Sequence, residues 1–137
     1  MEGFGEELIN DTSIYGLLGY KLGIILGNKI PVIEGIPNQV TQDCLKALSA
    51  AGAASGSMAL FHIIGVTPEA LSLEQIFKKN IPEYKIVIKP ADLIKVRDEL
   101  ESTDEDKVDL IALGCPHFSY SEFYSLLKVM DGRKISK

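Results

Sequence analysis

Cys115 has the sharpest chemical potential in the chain. It follows the apolar run 108–113 and Gly114, and it precedes Pro116, His117 and Ser119. A thiol at the carboxyl end of a strand and close to a helix start gains thiolate character, which suits a nucleophile or a metal ligand. An inert small hydrophobe is the competing reading, and the commoner one for a lone loop cysteine. His117 can orient a ligand, accept a proton or hydrogen-bond the backbone. Ser119 and Glu122 stand in capping-box spacing at the start of a helix. Thr67, Pro68 and Glu69 offer an N-cap hydroxyl, a first-turn proline and an acid behind it. Free N–H groups at helix starts favour carboxylate or phosphate, so Thr67, His117 and Ser119 are candidates to line a site for a small anionic substrate. Capping alone also accounts for both hydroxyls. His62, late in the apolar run 57–64, reads as a core histidine or as a group near a functional strand end. Cys44 sits at a core-like position of a predicted helix and reads as structural. The paired Cys-x-x-Cys of zinc sites, His-Glu-x-x-His, the P-loop and the Gly-x-Ser-x-Gly elbow do not occur.

Four apolar runs, 30–33, 57–64, 84–89 and 108–113, are expected to form strands. Three are almost continuously apolar, as in a parallel sheet covered on both faces. The fourth, 84–89, alternates and reads as an edge. Helical patterns at 13–28, 39–55, 71–79, 90–101 and 121–131 lie around them, with Gly56 and Gly132 as stops and Ser72 with Gln75 in capping-box spacing. The expected fold class is α/β: three α/β/α layers around a mainly parallel four-stranded sheet, one domain over residues 1–137. The four loops leaving the strand carboxyl ends would then share a rim, with Thr67, Cys115, His117 and Ser119 along it. Gly16, Gly19, Gly23 and Gly27 stripe the first helix. Each interior glycine costs about 0.5–1 kcal/mol against alanine, so the stripe predicts a close neighbour, most simply the sheet.

Composition narrows the function classes. The chain of 137 residues carries a net charge of −5, with no Lys/Arg-rich stripe, which argues against a nucleic-acid partner. The most apolar stretch, 14–33, is interrupted by Lys21, Asn28, Lys29 and Pro31, so no membrane span is expected. Residues 1–7 are acidic and lack the basic start of a signal peptide. Two cysteines make no disulfide framework, and a reducing, cytoplasmic setting follows. Lys outnumbers Arg twelve to two, a bias that fits an AT-rich genome or a thermophile. Glu99, Glu101, Asp104, Glu105 and Asp106 read as a solvated acidic run.

The runs Leu45-Lys46-Ala47-Leu48-Ser49-Ala50-Ala51 and Ser57-Met58-Ala59-Leu60-Phe61-His62-Ile63-Ile64-Gly65-Val66-Thr67-Pro68-Glu69-Ala70 resemble the aconitase X family. So do Val108-Asp109-Leu110-Ile111-Ala112-Leu113-Gly114-Cys115-Pro116-His117-Phe118-Ser119, and the stretches 18–23 and 30–36. The resemblance spans essentially the whole chain, and its Phe-His-x-x-Gly-x-Thr-Pro-Glu-Ala and Gly-Cys-Pro-His stretches are specific. It implies an aconitase-like hydro-lyase (dehydratase), with a smaller swivelling subunit or domain as partner. Members dehydrate 3-hydroxyproline in bacteria, or mevalonate 5-phosphate on the archaeal route to isoprenoids. The Lys-rich composition favours the second. Cys115 matches a cysteine that holds the family's iron–sulfur centre (4Fe-4S), whereas Cys44 matches no ligand motif.

Family catalytic chains are about three times as long and supply further cysteine ligands elsewhere. The resemblance therefore implies one domain excised from a large subunit, ending at 132–137 where a new strand would begin. Alone it is expected to be inactive, to lack the cluster and to self-associate through surface that meets the rest of the subunit. The glycine stripe is a candidate for part of that surface. Two other readings rest on the residues alone: a flavodoxin-like module that holds an anion without chemistry, and a thiol enzyme using Cys115 and His117 without metal.

Overall fold

Asp11 begins the first helix, its carboxylate accepting the Ser13 N–H at 2.8 Å. That helix, α1 (Thr12–Leu26), ends on Gly27, whose φ of 58° lets its N–H donate to the Gly23 carbonyl at 2.9 Å. The computed structural model describes residues 4–5, 10–78, 80–103, 105 and 107–134. After α1 come β1 (Val32–Ile33), α2 (Gln42–Gly56), β2 (His62–Ile63), α3 (Leu73–Phe77), α4 (Pro90–Leu100) and α5 (Tyr120–Met130). The chain divides into two compact units, residues 1–104 and 105–137. Most of the acidic N-terminus, Lys79, Asp104, Asp106 and residues 135–137 of the strand start expected at 132–137 lie outside the described residues. No helix among those described is long and apolar enough to cross a membrane.

The first unit is built on α1 against α2. Tyr15, Leu18 and Leu22 of α1 and Cys44 and Leu48 of α2 are buried together with Ile36, Met58, Ile63 and Leu93. The glycine stripe is the reason the two helices meet so closely. A Cβ at Gly19 would lie 2.9 Å from the Leu48 Cα, and one at Gly23 would lie 2.5 Å from the Gly52 carbonyl oxygen. The expected close neighbour is therefore present, but it is a helix and not the sheet. Gly19 and Gly23 are consumed inside the unit and offer no outward surface. Gly56 belongs to the same contact: it is the last helical residue, 2.8 Å at a hypothetical Cβ from the Gly23 Cα. Ser57 takes the left-handed cap expected of Gly56, with φ of 63° and its N–H on the Ala53 carbonyl. Two further bonds close helix starts: Thr41 Oγ1 accepts the Cys44 N–H, and the Asp92 carboxylate of α4 accepts the Lys89 N–H at 2.9 Å.

The sheet is smaller than the apolar runs predict. β1 and β2 are parallel, with Val32 opposite His62 and Ile33 opposite Ile63. Among the described residues they are the only strands, so the four-stranded sheet is not confirmed. The outer edge of β2 shows why no strand adds there. The Ile63 N–H donates to Thr67 Oγ1 at 3.1 Å, and the Ile63 carbonyl accepts the Thr67 N–H at 3.0 Å. The strand's own turn thus satisfies the groups that a third strand would need. Residues 84–89 and the preceding Glu83 make side-chain ties instead of a ladder: Lys29 meets Glu83 at 2.7 Å and lies over the Tyr84 ring, while Lys85 pairs with Glu34 at 3.8 Å. Residues 108–113, in the second unit, form no strand, and Val108, Leu110, Ile111 and Leu113 are exposed. Strand pairing is non-local, and an apolar run cannot announce its partner.

Tyr15 carries a test of the core. It is fully buried, and its hydroxyl has no hydrogen-bond partner among the described residues. Burial, with a smaller contribution from Cys44, pushes its pKa up to about 12. The neutral form is therefore favoured by folding. This contribution is complete below pH 10, the ordinary tyrosine value, and is lost as pH rises towards 12. Tyr15→Phe removes an unpaired buried hydroxyl and is expected to gain about 1 kcal/mol at pH 7. It should also flatten the alkaline fall in stability, measured as urea midpoints between pH 7 and 11. A variant less stable than the parent by a similar amount would show that the hydroxyl is paired.

Candidate functional site

In the first unit the chemistry gathers in the turn that follows β2. Gly65 reverses the chain with φ of +75°, its N–H on the Ala70 carbonyl at 2.8 Å. A side chain there would press on the Asn38 amide oxygen as well as strain the backbone. Thr67 donates from its backbone to Ile63 and accepts at its carbonyl from the Ala70 N–H, closing a compact loop. No helix starts at Thr67, contrary to the N-cap expected there. The next helix begins only at Ser72, whose hydroxyl accepts the Gln75 N–H. The Thr67 hydroxyl accepts from the backbone of β2, at the Ile63 N–H.

This loop returns Glu69 to His62. Nδ1 of His62 and Oε1 of Glu69 are 2.6 Å apart. Ile63 is buried beneath β2, and strand alternation turns His62 to the opposite face, where its side chain keeps 21% of its exposure. The hydrogen bond from His62, then the backbone N–H of Glu69 and the Thr67 hydroxyl, hold the Glu69 carboxyl below the usual carboxylate range. The histidine's other ring nitrogen, Nε2, has no partner among the described residues. The sequence contained the signal for this pair, in the seven-residue spacing of His62 and Glu69 across Gly65.

The second unit holds the other candidates. Ser119 is the N-cap of α5 in a complete capping box: its Oγ accepts the Glu122 N–H at 3.2 Å, and its N–H donates to Glu122 Oε2 at 2.7 Å. Its hydroxyl also lies 2.8 Å from Ser121 Oγ. Capping, one of the two readings, is thus observed for Ser119. Cys115 is exposed, a free thiol on the loop between Gly114 and Pro116. His117 is exposed too and lines an open pocket of about 340 Å³ with Leu113, Gly114, Phe118, Phe123 and Leu126. Phe118 and Phe123 meet edge to face at 5.2 Å. The pocket is apolar apart from the imidazole. Because 108–113 forms no strand, the common sheet edge expected to align Thr67 with Cys115, His117 and Ser119 is not formed by that run. Cys44 is buried, its thiol donating to the Asn10 carbonyl at 3.4 Å, a structural position. No group of three or more His, Cys, Asp or Glu that could hold a metal ion occurs among the described residues.

Comparison with known proteins gives these features a context. The model of the aconitase X second domain matches residues 4–98, which reach into α4. The chain is 41% identical over 125 residues to a cis-3-hydroxy-L-proline dehydratase of Pseudomonas aeruginosa, covering 90% of this chain and 22% of that protein. It is 39% identical over 125 residues to the phosphomevalonate dehydratase large subunit of Methanosarcina mazei, covering 91% of this chain and 29% of that protein. The large subunit of Methanothermobacter thermautotrophicus is 42% identical over 122 residues, at 89% and 29% coverage. The chain thus spans less than a third of the length of these curated relatives. No solved structure matches.

Proposed function

The chain belongs to the aconitase X family, and on that premise we propose that it is a domain of a hydro-lyase that dehydrates a small hydroxy acid, mevalonate 5-phosphate in the first place. The observation that carries this is identity of 39–42% to named dehydratases over about nine-tenths of the chain. It favours the dehydratase over an anion-binding module without chemistry or a metal-free thiol enzyme. Hydroxyproline and mevalonate 5-phosphate enzymes are about equally similar to it, and the Lys-rich composition carries the preference for the phosphate. A second reading, 3-hydroxyproline as substrate, is favoured by the Pseudomonas relative.

In this reading the working protein comprises the remainder of the large subunit and a small swivelling partner, in the cytoplasm. Cys115 is exposed and has the thiolate donor chemistry of an iron–sulfur ligand, so it fits as one ligand of several. The described residues bring no three donors together, so the other ligands come from outside them. The bound centre supplies Lewis-acid polarisation of the substrate hydroxyl. Thr67, His117 and Ser119 are the proposed substrate-lining groups of this chain. His117 alone of the three has its side chain on a pocket, while Thr67 and Ser119 shape the turns that present their neighbours.

The intact protein carrying this domain, purified anaerobically with its small partner, tests the reading with mevalonate 5-phosphate and cis-3-hydroxy-L-proline. Release of water from the first is the expected result. Turnover of hydroxyproline alone would transfer the assignment to the second reading. Turnover of neither overturns the dehydratase.

A further inference from the structure

The two units differ in what holds them together. Residues 1–104 enclose a core, with Tyr15, Leu48, Ile63 and Val96 wholly buried. No described residue from 105 onward is buried. A segment this short falls below the roughly 40 residues that usually support a core of their own. Yet its helix α5 is well specified, with the Ser119–Glu122 capping box closing its start. Tyr120, Phe123, Tyr124 and Leu127 recur at i, i+3, i+4 and i+7, which puts them on one face. All four are exposed, Tyr120 at 92% and Leu127 at 66%. Ser121, Glu122 and Ser125 fall on the other side of the helix. Lys128 stands at the rim, 4.7 Å over the Tyr124 ring. Three aromatics and a leucine, with a cation only at the edge, have the composition of an interface core.

The relatives narrow what covers this face. The aconitase X second-domain model ends at residue 98, before the second unit begins. Similarity to the dehydratases continues past that point, because a match over 90% of the 137 residues has to run into α5. One relative is named simply as a dehydratase and another as a large subunit. In both, more than two-thirds of the protein lies outside the matched segment. That remainder is common to the two kinds, whereas only one name implies a separate small subunit.

We infer that α5 docks by its Tyr120, Phe123, Tyr124 and Leu127 face on an aliphatic surface in the part of the larger protein outside this chain, where the second unit acquires its core. The inference rests on the reading of this chain as one domain of a larger dehydratase. The four side chains carry no charge, so an uncharged surface is the fit, and a charged one would be desolvated without a counter-ion. Docking also fixes the loop from Gly114 to Ser119, which leads directly into α5.

Hydroxyl-radical footprinting read by mass spectrometry tests this on the intact protein beside the 137-residue chain. Labelling follows side-chain exposure, so Tyr120 and Tyr124 are expected to react about tenfold more slowly in the intact protein, as residues of an interface core do. Tyr15, wholly buried, sets the floor in both. Leu127→Glu keeps the helix, since glutamate is as good a helix former as leucine, and puts a charge into the docked face. In the intact protein it should return the labelling of Tyr120 and Tyr124 to within about twofold of the free chain. If that variant fails to fold, the parent comparison decides alone. Equal labelling of α5 in the two parent forms overturns the inference, and so does a folded Leu127→Glu protein with the parent's protection. Protection already present in the 137-residue chain overturns it too, and if it grows with concentration it gives the face to a second copy. Protection that needs the small partner overturns it in favour of that partner. An intact protein with α5 protected that turns over neither hydroxy acid overturns the dehydratase and leaves the docking face standing.

Discussion

Gly19→Val is expected to remove a large share of the stability of the 137-residue chain. A hypothetical Cβ at Gly19 lies 2.9 Å from both the Cα and the carbonyl carbon of Leu48, and these are backbone atoms that cannot swing aside. Leu48 is itself fully buried in the shared core. Making room means separating α1 from α2 along the contact that also includes Gly23, Gly52 and Gly56, and exposing Tyr15, Leu18 and Leu22. A cost of ~4 kcal/mol or more follows, against a total stability of roughly 5–15 kcal/mol for a small domain. Gly16 is the control on the same helix. Nothing lies within 4 Å of a Cβ there, so Gly16→Ala should stabilise by about 0.5–1 kcal/mol through helix propensity alone. Urea unfolding followed by far-ultraviolet circular dichroism checks both. A Gly19→Val protein with the parent's midpoint would mean that the two helices do not meet as described.

The opposite signs expected at Gly16 and Gly19 show what could be read from the sequence and what could not. The stripe itself was legible as a sign of a close neighbour, although only Gly19 and Gly23 of its four glycines press on one. Which neighbour was not legible, because glycine permits any backbone to approach. Caps were legible for a related reason: Ser119 with Glu122 and Ser72 with Gln75 act over three residues, and local chemistry settles them. Thr67, Pro68 and Glu69 carry the same residue types as a helix start, yet the hydroxyl found Ile63, four residues back, before any helical N–H. That competition between capping and turn closure depends on the strand's geometry, and residue types cannot decide it. The strands fared worst. Strand pairing joins residues about thirty positions apart, as the His62 N–H does on the Pro31 carbonyl, so 84–89 and 108–113 could be recognised as apolar while their pairing could not be read. For the site, the lone thiol was conspicuous while the His62–Glu69 pair was overlooked, because seven residues of separation become 2.6 Å only after Gly65 turns the chain.

Cys115→Ala should produce the other large effect, and it is read in metal as well as in rate. On the proposed function, in the intact protein reconstituted anaerobically, iron and acid-labile sulfide per chain are expected to fall from a stoichiometric cluster to a small residue, and turnover about 1,000-fold or more, since the iron would supply Lewis-acid stabilisation worth several kcal/mol. The exposed position of Cys115 matters here. Removing an exposed thiol leaves no cavity, so the variant should unfold at the parent's urea midpoint in the apo form, and loss of iron cannot be ascribed to misfolding. Cys44→Ala gives the reverse pattern: that thiol is fully buried and bonded to the Asn10 carbonyl, so stability drops by about 1–2 kcal/mol while iron per folded chain holds. The 137-residue chain alone offers a third arm. Its described residues bring no three metal donors together, and one thiolate cannot hold a cluster that rests on several, so reconstitution should leave it with substoichiometric iron. A full cluster on the 137-residue chain would overturn the expectation that further ligands come from elsewhere, and a cluster in the intact enzyme that survives Cys115→Ala would move the ligand role away from this loop.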